Sequence, residues 1–150
     1  MAKGKAFILV GHSHWGKSLT LRQLTKGTKK GWWEIKDNYV FIKRMSNDDI
    51  PESVINFVDN LDSEYKNVII MTLCPNFEEE NHKTKYIINK VEKNYKMYFF
   101  VLKQSYNDDR TVTDDEIEEL RKHGNVEILQ KREKDKQRAI AFNNFIIKYI

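Results

Sequence analysis

The sequence predicts an α/β domain with a mostly parallel sheet and helices on both faces. Three observations lead there. Short unbroken apolar runs, Ala6–Val10, "NVIIMTL" and "KMYFFVLK", recur along the chain, as strands buried on both faces require. Stretches with helical spacing alternate with them, which calls for parallel strands joined by right-handed crossovers. A glycine-bounded loop, "GHSHWGKS" at residues 11–18, follows the first run directly. It falls at the carboxyl end of a strand, where ligands of such sheets sit.

The elements follow in order. "KAFILV" is the first strand. "KSLTLRQLTK" reads as a helix with Leu19, Leu21 and Leu24 apolar, stopped by Gly27. "WWEIKDNYVFIKR" alternates on either side of Asp37-Asn38, a two-residue turn pair, and predicts a β-hairpin. Asp48 and Asp49 offer caps, and Pro51 a first turn, for a helix facing inward with Val54, Ile55, Val58 and Leu61. "NVIIMTL" is a second buried strand closed by Pro75. Residues 78–94 read as a helix with Ile87, Ile88, Val91 and Tyr95 inward, and "KMYFFVLK" as the third buried strand. Thr113 and Glu116 form a capping-box pair for a helix that stops at Gly124. "NVEIL" alternates and suits an edge strand, and residues 133–148 make a last helix. No linker, repeat or low-complexity tract divides the chain, so its 150 residues are read as one domain. Such a length buries on the order of two-thirds of its unfolded surface.

Composition excludes several classes. No apolar run approaches the roughly 18 residues of a membrane span. Ala6–Val10 is too short for a secretory signal, which points to a cytoplasmic protein. The single cysteine, Cys74, excludes an internal disulfide and gives no metal-ligand pattern. The net charge of +4 is too small to argue for nucleic acid. Its distribution is uneven: residues 1–44 hold 10 Lys/Arg against 2 Asp/Glu, and residues 45–120 hold 8 against 17. A basic segment around the glycine loop suits an anionic ligand.

Gly11–Ser18 matches G-x-x-x-x-G-K-[ST] in full, between a strand and a helix. Its glycines let backbone N–H groups turn inward around a phosphate, and the next helix presents its positive end. Gly11, His12, Ser13, His14, Trp15, Gly16, Lys17, Ser18 and Leu19 are therefore the candidate phosphate-binding residues. Lys17 would reach the β- and γ-phosphates and Ser18 would ligate Mg²⁺. The cofactors expected are Mg²⁺ with ATP or GTP.

The stretch resembles the G-H-x-D-H-G-K-[ST] loop of translational GTPases at Gly11, His12, Gly16, Lys17 and Ser18. The chain as a whole is similar to the P-loop NTPase superfamily, most of all to Ras-like and translation-factor GTPase domains. That resemblance implies a three-layer P-loop NTPase fold with one antiparallel hairpin strand and strand order 2-3-1-4-5-6. It also implies a D-x-x-G motif, for which "IKRMSNDDIP" offers Asp48 or Asp49 and no glycine. Asp48 would hold Mg²⁺ through water, and either residue would serve as catalytic carboxylate. The N-K-x-D position that selects guanine carries Lys103, Gln104, Ser105 and Tyr106. Lys103, Gln104 and Tyr106 are thus candidate base contacts, without the selecting carboxylate. Thr25 or Thr28 stands where a switch threonine would approach the metal.

Other residues have two readings. His14 stands where the translational loop has Asp. It is either an extra phosphate donor or, like His12, a surface residue turned away. Two histidines alone make no zinc site, and His82 and His123 read as ordinary helix residues. Trp32 and Trp33, among Lys29, Lys30 and Lys36, either stack bases or divide between core and rim. Arg110, beside Asp108 and Asp109, is either a lid arginine or one of a surface pair. Three functions fit: an NTP-binding switch or weak NTP hydrolase; a small kinase passing the γ-phosphate to a metabolite or nucleic-acid end; and a non-hydrolysing module acting through a protein partner.

Overall fold

A computed structural model describes residues 3–27, 31–44, 46–61, 67–105 and 108–150. The chain runs β1 (Gly4–Val10), α1 (Lys17–Leu24), β2 (Trp32–Ile35), β3 (Asn38–Lys43), α2 (Pro51–Asp59), β4 (Val68–Leu73), α3 (Thr84–Glu92), β5 (Tyr95–Leu102), α4 (Asp114–Arg121), β6 (Gly124–Leu129) and α5 (Asp135–Tyr149). Element types and their order agree with the sequence reading. The six strands form one sheet, parallel except for the β2–β3 pair. Helices α1 and α5 pack on each other, as do α2 and α3, in a three-layer α/β arrangement. No described helix is long and apolar enough to cross a membrane.

The strand order is β2-β3-β4-β1-β5-β6, which corrects the order implied by the GTPase resemblance. There β3 would lie against β1. Here β4 lies between them, pairing with β1 from Lys5↔Val68 to Val10↔Leu73 and with β3 from Phe41↔Ile69 to Lys43↔Met71. All six side chains of β4 are buried, so its continuous apolar run is what a position inside the sheet demands. The more polar "NYVFIK" of β3 is buried on one face only.

The aromatic residues concentrate under α5. Phe7 stacks on Tyr98 at 5.0 Å and meets the edge of Phe145 at 6.1 Å, and Phe100 packs on Phe142 at 5.7 Å. Neighbouring parallel strands in register, Phe7 opposite Tyr98, put these rings on one face of the sheet.

Local corrections have local causes. The hairpin turn is Lys36-Asp37, one residue earlier than expected, because Ile35 pairs with Asn38. Both turn residues have positive φ, 48° and 63°, the geometry that matches strand twist. The predicted helix 78–94 is shortened to α3, preceded by a 3-10 turn at Glu80–His82 and by Lys83 at φ 54°. The buried Asn47 side chain explains the break. Its Nδ2 donates to the carbonyls of Cys74 and His82, holding residues 74–82 as a loop. Asp48 and Asp49 do not cap α2, whose N-cap is Ile50. Leu19 is 48% exposed and takes no part in the core. Trp33 packs partly buried against the core, and Trp32 is exposed beside Tyr39 and Phe41.

Candidate functional site

The loop between β1 and α1 is tied down before it turns. Gly11 N donates to Leu73 O of β4 at 3.1 Å. A Cβ at Gly11 would lie 3.2 Å from the Trp15 ring, which leaves little room for a larger residue. The chain then turns through Ser13 and His14, with His14 at φ 64°, and enters α1 from Gly16 at φ 76°. That left-handed value suits glycine. No side chain caps α1, so its first N–H groups face the loop as a ready anion site.

Trp15 serves as the wedge of the loop. Its indole is fully buried, and its Nε1–H donates to Asp108 Oδ2 at 3.0 Å. Arg138 of α5, also fully buried, donates to the Trp15 carbonyl and to Gln104 O. A buried guanidinium spent on two carbonyls fixes the loop against α5. Of Trp15, only the backbone is left to act toward a phosphate.

Lys17 is 6% exposed and lies inside the loop. Its ammonium donates to Gly11 O at 2.5 Å and His12 O at 2.9 Å, closing the loop on itself, and Asp48 Oδ1 lies 3.6 Å away. Burial lowers the Lys17 pKa, and the Asp48 carboxylate opposes that. For Asp48, burial would raise the pKa. The Lys17 ammonium and the hydrogen bonds from the Ser46 and Ser13 side chains together outweigh it and hold the carboxyl below its ordinary value. The Asp48 side chain is 4% exposed, and its Oδ1 has no hydrogen-bond partner among the described residues.

His12 is buried and turned away from the loop mouth, so it is no surface residue. Its Nδ1 lies 4.0 Å from Cys74 Sγ and its Nε2 3.3 Å from Glu116 Oε1. Burial disfavours the imidazolium, but the Cys74 sulfur and the Glu116 carboxylate prevail and raise the pKa to about 9. His14, in contrast, is exposed.

Two clefts flank the loop. One, of about 170 Å³, brings together Lys17, Ser18, Asp48, Asp49, Arg44 and Thr72 beside His14, Trp15, Gly16 and Leu19. The other, of about 520 Å³, is lined by Ser13, His14, Asp108, Asp109 and Arg110. Of the expected phosphate and metal residues, His14 to Leu19 converge with Asp48 and Asp49 on the first cleft, Ser13 lines the second, and Gly11 and His12 line neither. The expected base contacts do not converge. Lys103 Nζ donates to Val112 O at 2.5 Å and lies 3.4 Å from Asp114; Gln104 Oε1 accepts from Arg132 Nε at 2.8 Å. Neither lines either cleft. Tyr106 and Thr28 lie outside the described residues, as do Lys29 and Lys30.

Thr25 is fully buried, and its hydroxyl accepts from Arg44 NH2 at 3.2 Å instead of approaching a metal. Sequence reasoning missed Arg44. The signal available was its place at the end of the alternating "VFIKR", one residue past β3. It also missed Thr72, whose hydroxyl donates to Arg44 O at 3.1 Å, and Asn47, which anchors the segment bearing Asp48. Neither had a signal beyond a polar residue in an apolar setting. Arg138 and the His12–Glu116 pair are contacts between distant elements with no local pattern. His82 sits in the 3-10 turn, and His123 Nδ1 lies 3.0 Å from Glu92 Oε2. Among the described residues no group of three His, Cys, Asp or Glu side chains is arranged to hold a metal alone.

Comparison with protein-family models, with curated proteins and with solved structures finds no match to this chain.

Proposed function

We propose that the chain binds a magnesium-bound nucleoside triphosphate through the loop Gly11–Ser18, as P-loop NTPases do. One observation carries the reading: Lys17, Ser18 and Asp48 meet in one cleft with Arg44, at the carboxyl ends of β1, β3 and β4. The ammonium donates to Gly11 O and His12 O and lies 3.6 Å from Asp48 Oδ1, so a phosphate oxygen would share its third donor with that carboxylate. The N–H groups of α1's first turn supply further donors. Arg44, whose Nη2 donates to Thr25, provides a planar second cation for the terminal phosphate.

The residues also fit a magnesium ion. A buried carboxylate oxygen without a hydrogen-bond partner among the described residues and the exposed Ser18 share the cleft. Magnesium takes one or two carboxylates together with phosphate oxygens and water. When bound it would neutralise charge on the phosphates. Asp48, kept ionised by Lys17, suits that ligand role better than proton abstraction, for which a pKa near the working pH is needed. Asp49, exposed on the rim, is the carboxylate left for an attacking water. Slow hydrolysis or a nucleotide-dependent switch follows; the second cleft has room for ribose and base.

Isothermal titration with ATP and GTP, with and without Mg²⁺, tests this. Ser18→Ala is the decisive variant because the residue is exposed. Its affinity should fall at least tenfold in Mg²⁺ and little in EDTA. Equal losses in both conditions would make Ser18 a structural residue, and a wild-type chain that binds neither nucleotide would end the proposal.

A further inference from the structure

A second surface lies at the other end of α1 from the phosphate loop. A groove of about 440 Å³ runs between the carboxyl end of α1, strand β2 and one side of α5. Its floor is apolar, with Trp33, Ile35, Ile140 and Ile147. Ile140 and Ile147 are 56% and 37% exposed, although α5 already buries Ala139, Phe142, Phe145 and Ile146 against the sheet. The helix thus carries a second, partly exposed stripe that faces Leu24, Trp33 and Ile35 across the groove. The stripe is Lys136, Ile140, Asn143 and Ile147, spaced four, three and four residues apart. That spacing keeps side chains on one helical face and meshes with a second helix. It spans roughly 16 Å at 1.5 Å per residue, about three turns.

The rim selects by charge. Lys26, Lys36 and Lys136, all exposed, stand around the groove, and Glu34 is the single carboxylate among its lining residues. We propose that this groove docks an acidic amphipathic helix of a partner protein, three turns long, with apolar anchors on Ile140 and Ile147 and carboxylates toward the lysines. An extended peptide added to the edge of β2 would need alternating side chains, whereas the α5 stripe has helical spacing. A basic partner would face three ammonium groups. The inference is independent of nucleotide binding, since no lining residue of the groove belongs to the clefts beside the loop.

The test is selection of displayed 16-residue peptides on the wild-type chain, with counter-selection on Ile140→Glu. That variant should melt as the wild type does, because the side chain is more than half exposed. The expected clones carry Asp or Glu between apolar residues spaced three and four apart. Synthetic copies should bind at least tenfold more weakly to Ile140→Glu by fluorescence anisotropy. A Lys26→Glu, Lys36→Glu, Lys136→Glu variant should reject them and accept their lysine-substituted copies. No enrichment, neutral or basic clones, an alternating pattern, or equal binding to Ile140→Glu would each overturn the proposal. So would sedimentation showing that the chain occupies the groove with a second copy of itself.

Discussion

His12 couples the Gly11–Ser18 loop to α4, and its proton should be visible in the stability of the whole chain. An unfolded histidine titrates near 6.5, and the folded one near 9. The folded state therefore holds the proton more tightly. Its stabilisation is complete below pH 6.5 and is lost as the pH rises through about 9. At 1.36 kcal/mol per pKa unit the effect is on the order of 3 kcal/mol. Melting temperature should fall between these limits, and His12→Gln should flatten the slope; an unchanged slope would assign it to another group. Lys17 makes a second case. Lys17→Ala leaves the Gly11 and His12 carbonyls and the Asp48 carboxylate without their cation. We expect a cost of about 2 kcal/mol, roughly 4 to 8 °C in a domain of this size, in addition to lost nucleotide affinity. Adding Asp48→Asn should recover part of the stability and none of the binding, as a double-mutant cycle by calorimetry would read.

At the scale of elements, α4 begins with a reciprocal cap. Thr113 Oγ1 accepts from Glu116 N at 3.2 Å and Glu116 Oε1 accepts from Thr113 N at 2.9 Å. Thr113→Ala should cost about 1 kcal/mol. Because the same Oε1 also faces His12, it should in addition lower the His12 pKa, measurable by NMR titration of the ring protons. An unmoved histidine would mean that the cap and the pair are independent. This cap was legible in the sequence because its signal is a spacing within four residues. So were the loop, its strand and its helix, since apolar runs and a glycine motif are local. What escaped was set by distant partners. Asn47 converts the start of an expected helix into a loop by holding the Cys74 and His82 carbonyls. Arg138 reaches the Trp15 carbonyl from the far end of the chain. The role of Arg44 depends on β4 lying where it does. No periodicity within a segment reports these.

At the scale of the whole molecule, the proposed nucleotide site carries an expectation about its base. A site discriminates strongly when it hydrogen-bonds a group that only one ligand has. In the second cleft Asp108 already accepts from Trp15 Nε1 and from Arg110 N, and Asp109 lies 3.7 Å from Arg132. With Asp108 engaged, and Lys103 and Gln104 tied outside the cleft, ATP and GTP should bind within about tenfold, a difference of roughly 1.4 kcal/mol or less. Competition of ATP against a fluorescent GTP analogue measures it, and a hundredfold preference would require a carboxylate released to the base. The strand order carries a different consequence, one of timing. Strand β1 is emitted early in synthesis, yet its two neighbours begin at Val68 and Tyr95. Until both have left the ribosome, "AFILV" has no sheet to enter, and the loop that follows has no Leu73 carbonyl to hold Gly11. Closing such separations slows folding, so the nascent chain should remain sensitive to protease until β5 has emerged, and the glycine loop Gly11–Ser18 should be among the last parts of the molecule to take shape.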